Sequence, residues 1–593
     1  MLALTVPFLL GLQLAPVAVA QATANAFIPD GWAAYPAAYI GNEIQAADGG
    51  GFRLRAQPKS EKQPRVCMKS KEPVSGRARV TGRWMRDGLV ADAAWKGAHI
   101  ELKFFDANNK LIKGQYSGQY SVKAGHGSSD WESFSKAFIV PDGAKRAKIC
   151  TEIRGAYVGA AAFADLRLTG TEATASGNGK NVLLIVMDTM RADVAGVYGH
   201  KGGLTPRLDA FAKDALTVDR AWTQYTWTTP SYVSYMTSQY ARTHGWTYYM
   251  GEGEELYHLD NDAPTLAEVL LKEGYITTGV TVNGRVDHKV SMDRGFESWY
   301  GPSVDRKALK RAEEDLDLWS SDGAPNFLYV HLMTTHTPLR PTAEAQKVAG
   351  VSVQVPSEGV LYFKDAAKPM ASESAHQSMF RDAYMASVYD ADKIIDRVIQ
   401  GLDQRGLGGD QTLVAVFSDH GELLGEHGLN GHGPHVYEQL TWVPLIVRAP
   451  WMKKGRLDDR VAGLMDLAPT VLHALDLESA IPNVWQGSSL YNPPTRSITV
   501  SERVSLMAFS QDGRHKTIEL NGGKIEGGYD IVADPNENVD LGKNHPAIEA
   551  LHQAAMQWRQ ETPKGSNDGR PLNLSSKEKD AELEKLKALG YVE

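Results

Sequence analysis

The sequence predicts an α/β domain with a doubly covered, mostly parallel sheet, preceded by an all-β domain. Beyond residue 180, continuous apolar runs of strand length recur, and such runs are typical of buried parallel strands. These runs are 181–187, 276–282, 326–333, 412–418 and 443–448. Helical patterns alternate with them at 205–216, 264–273, 379–403 and 465–475. This alternation of strands and helices indicates a parallel sheet with helices on both faces.

Short alternating runs separated by turn residues fill residues 26–170 and predict an N-terminal β-sandwich. The strands expected there include 78–84, 99–105, 134–140 and 148–153. The stretches 130–143 and 155–165 resemble the late strands of jelly-roll carbohydrate-binding modules, so the resemblance implies a jelly-roll-like domain that could bind a glycan. Flat aromatic rings suit sugar binding, although packing in the core is their commoner role. The candidate rings are Trp84, Trp95, Tyr116, Tyr120 and Trp131.

Residues 1–20 predict a signal peptide. The stretch is apolar and closes on Ala18-Val19-Ala20, a small-residue pattern typical of a signal-peptidase site. Export to the periplasm or the extracellular space is therefore expected. Because no basic residue precedes the apolar run, a misassigned start codon and an uncleaved anchor stay open as alternatives. No later segment has the length and apolarity of a membrane span.

Residues 171–180 are small, polar and glycine-rich, and they predict a linker to a second domain at 181–593. Within that domain, the pattern of 575–589 predicts one more surface helix. A chain of 593 residues with a net charge of −8 is typical of a multidomain protein that has no broad attraction for nucleic acid. Its two cysteines, Cys67 and Cys150, both precede the linker. A disulfide and two separate buried thiols are both compatible with their spacing.

Polar side chains end two of the apolar runs. Asp188 follows the run 181–187, and Asp419 and His420 follow the run 412–418. Because the carboxyl ends of parallel strands lie at one edge of a sheet, we expect these three side chains to meet. Carboxylate oxygen together with imidazole nitrogen favours Zn²⁺ or Mn²⁺ over Ca²⁺. Helix capping is an alternative for either aspartate alone, but it does not explain both together with His420. The pattern predicts an enzyme that uses one divalent metal ion.

Several longer motifs occur in a fixed order through the second domain. They are Asp188–Gly199, Thr205–Asp209, Thr228–Ser231, His336–Pro341, Ser418–Gly428, Gly431–Gly433, Val443–Val447 and Leu586–Val592. Together they resemble the sulfatase family within the alkaline phosphatase superfamily. The resemblance implies an alkaline-phosphatase-like fold and the hydrolysis of a sulfate or phosphate ester.

Thr228 stands where sulfatases carry the cysteine or serine that is oxidised to formylglycine, and Tyr232 replaces the arginine of that signature. A threonine cannot become an aldehyde by this oxidation, so the resemblance implies direct attack by the Thr228 hydroxyl. Pro230 predicts the first turn of a helix capped by Thr228 or Thr229, which places the hydroxyl at the positive helix end. A neighbouring cation would make this weak nucleophile reactive. For an isolated threonine, a helix cap without catalysis is the alternative.

Two histidines align with family residues that contact the transferred group or protonate the leaving group. His336 follows the run 326–333, and His432 lies between two glycines. A neutral-range pKa, as histidine ordinarily has, suits donation of a proton to an alkoxide. His331, His427 and His435 are weaker candidates and are expected to be supporting or surface groups. Arg191 and Arg242 match family positions that brace loops, and no catalytic role is expected of them.

The residues and the resemblance predict an exported, metal-dependent hydrolase that cleaves a phosphate or sulfate ester through Thr228. The metal pattern is similar to the single-metal type of phosphonate monoester hydrolases, because His420 stands where calcium sulfatases carry asparagine. The expected partner is an anionic ester, with a glycan as a candidate carrier. Two alternatives stay open: a transferase that passes a phospho-group to a lipid or glycan, and a glycan-binding protein without catalysis. The expected metal ligands are Asp188, Thr228, Asp419 and His420, and the expected catalytic residues are Thr228, His336 and His432.

Overall fold

The chain divides into two compact units, the first of which ends at Gly170. The predicted signal peptide at 1–20, most of the linker at 171–180 and the helix expected at 575–589 lie outside the described residues. The computed structural model describes residues 32–35, 42–48, 50–58, 62–70, 76–91, 97–112, 121–125, 127–141, 143–170, 179–246, 263–287, 290–320, 324–351, 355–356, 359–360, 375–432, 434–494, 496–503 and 505–565.

Two five-stranded antiparallel sheets form the first unit. Its strands are β1 (Trp32–Tyr35), β2 (Ile44–Ala46), β3 (Phe52–Arg55), β4 (Arg65–Lys69), β5 (Arg77–Ala91), β6 (Gly97–Phe105), β7 (Ser121–Gly125), β8 (Gly127–Ile139), β9 (Arg146–Arg154) and β10 (Ala156–Gly170). The strand orders are β1-β4-β9-β6-β7 and β2-β3-β10-β5-β8. Apolar side chains of both sheets share one core, which includes Leu54, Val80, Ile100, Ile149 and Phe163. The unit is therefore a sandwich, and its four expected strands are present, each with an earlier start.

Cys67 and Cys150 are disulfide-bonded between the paired strands β4 and β9. This pairing resolves the alternative that the spacing left open. Trp84 is a core residue, since its ring stacks on Phe134 with 4.3 Å between the ring centroids. Trp131 lies under the guanidinium of Arg83, at 5.0 Å. The other candidate rings, Trp95, Tyr116 and Tyr120, lie outside the described residues.

An eight-stranded mixed sheet forms the centre of the second unit. Its strands, in sheet order, are β15 (Ser298–Tyr300), β14 (Ile276–Thr281), β16 (Asn326–Leu332), β11 (Asn181–Met187), β17 (Thr412–Phe417), β21 (Leu445–Arg448), β12 (Leu216–Val218) and β22 (Gly455–Leu457). The pairs from β15 to β17 are parallel. Strand β21 is antiparallel to both of its neighbours. The parallel half therefore carries the strand ends on which the site prediction rests.

The helices of the second unit are α1 (Pro206–Ala212), α2 (Thr228–Thr237), α3 (Ala241–His244), α4 (Leu266–Lys272), α5 (Asp305–Leu316), α6 (Ala343–Val348), α7 (Ala375–Gln404), α8 (Glu438–Thr441), α9 (Leu467–Ala474) and α10 (Pro546–Glu561). Helices lie on both faces of β16, as its alternating side chains show. Leu328 and Val330 share a core with apolar residues of α5 and α7. Tyr329 faces the other way and contacts the rings of Tyr232 and Tyr235 on α2.

The predicted strand at 443–448 is wrong in one respect, because it is two strands. Pro444, which has no backbone N–H to donate to a ladder, separates β20 (Trp442–Val443) from β21. Strand β20 belongs to a small sheet with β13 (Ala221–Trp222) and β23 (Ala462–Gly463). The helix predicted at 205–216 ends at Ala212, since its last apolar position, Leu216, starts strand β12.

Small sheets complete the second unit. Strands β18 (Leu423–Leu424) and β19 (Asn430–Gly431) form a hairpin beside the catalytic candidates. An antiparallel sheet near the C-terminus contains β24 (Thr499–Arg503), β25 (Leu506–Ser510), β26 (His515–Leu520) and β27 (Ile525–Asp530). Helix α10 packs on this sheet through Leu551, Ala555 and Trp558. Within the described part of the chain, no helix combines the length and the apolarity that a membrane span requires.

Candidate active site

The ends of two neighbouring parallel strands bring the predicted ligands together. Strands β11 and β17 pair in register up to Val186 and Phe417, so the residues that follow them leave the sheet side by side. Asp188, Asp419 and His420 form a cluster in which one ligand atom of each lies within 4.8 Å of the others. All three side chains are fully buried. The sheet-edge argument therefore placed these residues correctly.

Each carboxylate uses one oxygen within the protein and leaves the other without a hydrogen-bond partner among the described residues. Asp188 Oδ2 accepts hydrogen bonds from Asn283 and His331, whereas Asp188 Oδ1 has no such partner. Asp419 Oδ1 accepts from the backbone N–H groups of Thr189 and His420, at 3.2 and 3.0 Å, whereas Asp419 Oδ2 has none. Buried acceptors of this kind are costly unless a further group satisfies them.

The tautomer of His420 follows from its hydrogen bond. Its Nδ1 lies 2.9 Å from the carbonyl oxygen of Gly421, which can only accept, so Nδ1 carries the proton. The lone pair of Nε2 is then available. His420 Nε2 lies 3.8 Å from Asp188 Oδ1 and 3.6 Å from Asp419 Oδ2. Three atoms that can each donate a lone pair to a cation thus converge.

Thr228 supplies the fourth atom. Its Oγ1 lies 3.3 Å from His420 Nε2 and accepts a hydrogen bond from Asn283 at 3.2 Å. Helix α2 begins at Thr228 itself, because Trp227 has extended backbone angles and occupies the N-cap position. The expectation of a cap at Thr228 or Thr229 is therefore wrong by one or two residues. The hydroxyl still lies in the first turn, at the positive end of the helix.

A serine three residues further along anchors this helix to the metal-ligand segment. The Ser231 hydroxyl donates to the carbonyl oxygen of Asp419 at 2.7 Å and also contacts the Thr223 hydroxyl at 2.8 Å. Every side chain of α2 is buried. The first turn therefore has a fixed position relative to Asp419 and His420.

Sequence reasoning missed Asn283 and gave His331 only a supporting role. Asn283 follows β14 by two residues, and its amide contacts both Asp188 and Thr228. His331 lies within β16, and its Nε2 donates to Asp188 at 2.9 Å. Its Nδ1 accepts from the Tyr329 hydroxyl at 2.9 Å, which in turn contacts the Tyr235 hydroxyl at 2.7 Å. The strand-end rule that selected Asp188 could also have selected Asn283.

The two histidines predicted to face the scissile group lie beside His420. The ring centroid of His432 is 4.6 Å from that of His420 and 5.4 Å from that of His336. His432 Nδ1 is hydrogen-bonded at 3.0 Å to Glu422, a fully buried carboxyl that the sequence did not single out. His336 Nδ1 contacts the carbonyl oxygen of Thr337 at 2.7 Å. These contacts at Nδ1 fix the orientations of the His432 and His336 rings.

Burial dominates the electrostatics of the cluster. Burial and the charge of Asp188 raise the pKa of Asp419. Burial also acts to raise the pKa of Asp188, but the hydrogen bond from His331 and the nearby histidines outweigh it, so the pKa of Asp188 is lowered. Burial also lowers the pKa of His336, and that of His432 to about 4. In both histidines, desolvation thus outweighs the neighbouring carboxylates, which act to raise the pKa.

Comparison with known proteins decides the family. The model of the family described as Sulfatase matches residues 180–477, the segment that contains every residue of this cluster. The chain belongs to the sulfatase family. The resemblance predicted from the motifs is thereby confirmed at the level of the family.

The relatives of this chain are distant in sequence. Iduronate 2-sulfatase of Homo sapiens is 25% identical over 409 residues, which cover 57% of this chain and 69% of that protein. Arylsulfatase K of Xenopus laevis is 26% identical over 299 residues, 42% of this chain and 54%, or about half, of that protein. The solved structure of a phosphonate monoester hydrolase from Silicibacter pomeroyi has a TM-score of 0.50 at 21% identity, covering 66% of this chain and 97% of that chain. That structural likeness shows a shared fold.

Tyr232 packs among aromatic rings at the position where the family signature has arginine. The Tyr232 hydroxyl donates to the carbonyl oxygen of Met292, and its ring contacts Tyr235 and Tyr329. Tyr232 is therefore a packing residue. Arg191 braces loops as predicted, since it forms ion pairs with Asp193 at 2.6 Å and Glu426 at 2.8 Å.

The contacts of His427, His435 and Arg242 are with groups outside the metal cluster. The His427 ring stacks on Tyr437, with 3.7 Å between the centroids, and the His435 ring stacks on the same tyrosine. Arg242 donates a backbone hydrogen bond to Glu502 and side-chain hydrogen bonds to carbonyl oxygens near the end of α10. These contacts give the three residues packing and bracing roles.

Proposed function

We propose that this sulfatase-family protein is an exported, metal-dependent hydrolase that cleaves an anionic sulfate or phosphate ester through the Thr228 hydroxyl. One observation carries the proposal. The Thr228 hydroxyl, the Nε2 lone pair of His420 and the unpartnered oxygens of Asp188 and Asp419 converge in one fully buried space. Two like-charged buried carboxylates beside an imidazole lone pair are unfavourable unless a cation is present.

The donor set fits one divalent metal ion held by Asp188, Asp419 and His420, with Thr228 as the fourth ligand. A mixed oxygen and nitrogen set supports Zn²⁺ or Mn²⁺ as the ion. When bound, such an ion would lower the pKa of a hydroxyl and offset the negative charge of the ester. His331 and Asn283 would hold the Asp188 carboxylate in place through its other oxygen.

The chain's own groups support Thr228 as the nucleophile. Its Oγ1 would form a bond to the sulfur or phosphorus atom while the bond from that atom to the ester oxygen breaks. Water would then cleave the Thr228 ester in a second step, which releases sulfate or phosphate and restores the hydroxyl. Asn283, which donates to Thr228 Oγ1 at 3.2 Å, orients the attacking lone pair. The first turn of α2 adds a positive potential for the anionic group.

His336 and His432 are proposed to contact the transferred group and to protonate the departing oxygen. Both have their Nδ1 atoms held by the protein, His336 by a carbonyl oxygen and His432 by Glu422. Each ring therefore presents its Nε2 edge away from that anchor. An anionic ester bound beside them would favour the protonated form that a general acid needs.

The names of the relatives support a sulfate ester, whereas Thr228 supports a phosphate ester. Sulfatases that act through formylglycine need an oxidisable cysteine or serine, and this chain has neither at that position. A phosphonate monoester hydrolase shares the fold. We therefore propose that the substrate is an anionic sulfate or phosphate ester, with a glycan as its carrier. The Cys67–Cys150 disulfide supports export, since disulfides persist in oxidising compartments.

The test combines metal analysis with hydrolysis of bis-4-nitrophenyl phosphate, 4-nitrophenyl phosphate and 4-nitrophenyl sulfate, before and after chelation. We expect about one Zn or Mn per chain and a hydrolysis that chelation abolishes. Thr228→Val keeps the shape of the side chain and should be folded but inactive, whereas Thr228→Ser should keep activity. Hydrolysis that persists in Thr228→Val would refute the proposed nucleophile. Saturable glycan binding by a metal-free protein without turnover would instead favour a binding protein.

A further inference from the structure

Helix α8 holds the backbone of the segment that directly follows His420. The N–H groups of Gly421 and Glu422 donate to the carbonyl oxygens of Leu440 and Gln439, at 2.9 and 3.1 Å. The approach is close, because a Cβ atom at position 421 would lie 1.9 Å from the carbonyl oxygen of Gln439. Only glycine fits there. The position of the 421–422 backbone is therefore set by that of α8.

The two residues of this segment in turn orient two histidines of the site. The carbonyl oxygen of Gly421 accepts the hydrogen bond from His420 Nδ1 at 2.9 Å. The carboxyl of Glu422 is hydrogen-bonded to His432 Nδ1 at 3.0 Å. A displacement of the 421–422 backbone would therefore move the Nε2 atoms of both rings, because each ring is held at its Nδ1 atom.

A buried charge network holds the first residue of α8. Lys516 Nζ, on β26, lies 2.9 Å from Glu537 Oε1 and 3.3 Å from Glu438 Oε2. Arg220 forms an ion pair with the other oxygen of Glu438. The backbone N–H of Glu438 donates to Glu537 Oε2 at 2.5 Å. Lys516 thus bridges the start of α8 to the loop that follows β27.

Lys516 compensates two carboxylates from which water is excluded. The side chains of Lys516 and Glu537 are 0% exposed, and that of Glu438 is 2% exposed. Burial acts to raise the pKa of Glu438, but the charges of Lys516 and Arg220 outweigh it, so the pKa of Glu438 is lowered. Removal of one member of such a network leaves a buried charge uncompensated. The attachment of α8 to Glu537 therefore depends on the lysine.

We propose that Lys516 is a positioning residue that acts on His420 and His432 through α8. It attaches the helix to the loop after β27, and the helix holds the 421–422 backbone that orients both rings. The inference rests on the proposed function, because it gives this network a part in the reaction of the same site. A general contribution to stability would instead leave the local opening of 421–422 unchanged under native conditions.

The test follows local opening of the site in the full-length protein. Hydrogen–deuterium exchange with mass spectrometry measures the amides of Gly421 and Glu422 in Lys516→Met, whose new side chain has a similar length and no charge. We expect these amides to exchange about tenfold faster or more, since two buried carboxylates lose their shared cation. The dissociation constant for Zn²⁺, measured against a chelator, should rise by about tenfold.

Arg559→Met is the matched control, because it removes the cation from another buried ion pair of the same region. Arg559 on α10 lies 2.7 Å from Glu519 on β26, and the two side chains are 8% and 0% exposed. The described contacts of this pair do not include α8. We expect exchange at 421–422 and the affinity for Zn²⁺ to stay at wild-type values in Arg559→Met.

Two results would overturn this role of Lys516. One is wild-type exchange at 421–422 in Lys516→Met. The other is equal acceleration in Arg559→Met, which would make the effect a general loss of stability. If Lys516→Met does not fold, Glu537→Ala decides in its place, because it removes the acceptor of the Glu438 N–H and leaves Lys516 paired with Glu438. Wild-type exchange in Glu537→Ala would equally overturn the proposal.

Failure of the proposed function gives a different signature. The wild type would then bind no Zn²⁺ and hydrolyse none of the 4-nitrophenyl esters. The exchange at 421–422 needs neither metal nor turnover, so it would still distinguish Lys516→Met from Arg559→Met.

Discussion

The two compact units place their polar side chains in opposite ways. In the sandwich, the ionic side chains are paired across strands and partly exposed, as in the pair of Arg53 and Asp87, whose side chains are 24% and 62% exposed. At the edge of the parallel sheet, Asp188 and Asp419 are fully buried, and each has an oxygen without a hydrogen-bond partner among the described residues. Parallel strands deliver several chain segments to one edge, whereas antiparallel strands alternate their ends. Among the described residues, the cluster of possible metal ligands accordingly lies in the second unit.

The largest expected effect is that of Asp419→Asn. The asparagine oxygen can still accept from the Thr189 and His420 backbone N–H groups, so the fold should survive. Metal content should fall to background, and hydrolysis should fall by about a thousandfold or more, because a charged ligand is lost. Asp87→Asn in the sandwich should change neither quantity. Metal analysis and initial rates measure both, and a fully loaded Asp419→Asn protein would contradict the assignment.

The disulfide should contribute to the stability of the sandwich and should not affect ester hydrolysis. Cys67→Ser combined with Cys150→Ser removes the only cysteines of the chain. The free energy of unfolding of the first unit should fall by about 2–5 kcal/mol, since the cross-link restrains the unfolded chain. Turnover of 4-nitrophenyl esters should stay unchanged. Calorimetry that resolves the unfolding of each unit, together with initial rates, checks this expectation. An equal loss of activity would show that the site depends on the sandwich.

Glu502 should make the free energy of unfolding depend on pH, whereas the exposed carboxylates of the sandwich should not. Burial raises the pKa of Glu502 to about 7, although the backbone N–H of Arg242 and the charges of Arg242 and Arg559 act in the opposite direction. At a pH below the pKa of the unfolded chain, the carboxyl is protonated in both states and does not affect stability. As pH rises from there to about 7, the unfolded state ionises more readily, so the folded protein is progressively destabilised. Glu502→Gln should therefore stabilise the protein by roughly 3 kcal/mol at pH 8 and by little near pH 4.

Thermal unfolding of Glu502→Gln and of Asp87→Asn at pH 4 and pH 8 measures this difference. Asp87→Asn is the surface control, since its partner Arg53 and solvent compensate the charge in both proteins. A gain from Glu502→Gln that is the same at both pH values would refute a titrating Glu502.

The smallest expected effect concerns the residue that orients Asp188. His331→Asn removes the hydrogen bond to Asp188 and should weaken metal binding by about 10–100-fold. His331→Gln, whose amide nitrogen lies near the position of Nε2, should restore part of the affinity. Metal titration against a chelator measures this. Tyr232→Phe is a matched control in the same group of rings, because its hydroxyl bonds only to the carbonyl oxygen of Met292 among the hydrogen bonds described. Equal affinities of all three variants would contradict a role for His331.

The periodic features of the chain were predictable from the sequence. Strands β11 and β17 were located almost to the residue, because uninterrupted apolar runs bounded by polar residues leave little choice. Asp188, Asp419 and His420 followed from those bounds. Helix α2 was expected from Pro230, but its start was displaced, since the extended Trp227 takes the cap position without any side-chain cap.

The contacts around those residues were not predictable. Glu422 belongs to a recognised motif, yet its partner His432 lies on another loop segment. Asn283 follows strand β14, but nothing local shows that its amide contacts Asp188 and Thr228. Arg503 ends a strand whose alternation gives no indication that Trp227 lies beside it. In each case the partner is fixed by packing between distant segments.

By itself, the sequence determined the strands, the residues at their ends and the presence of threonine at position 228 in place of an oxidisable residue. The spacing of apolar residues and the identity of a residue are local properties of the chain. The tertiary structure alone decided which oxygen of Asp188 is satisfied. That outcome depends on Asn283 and His331, which lie 95 and 143 residues from Asp188 along the chain. Hydrogen-bond geometry at that separation is set by how the buried elements pack, and no local pattern encodes it.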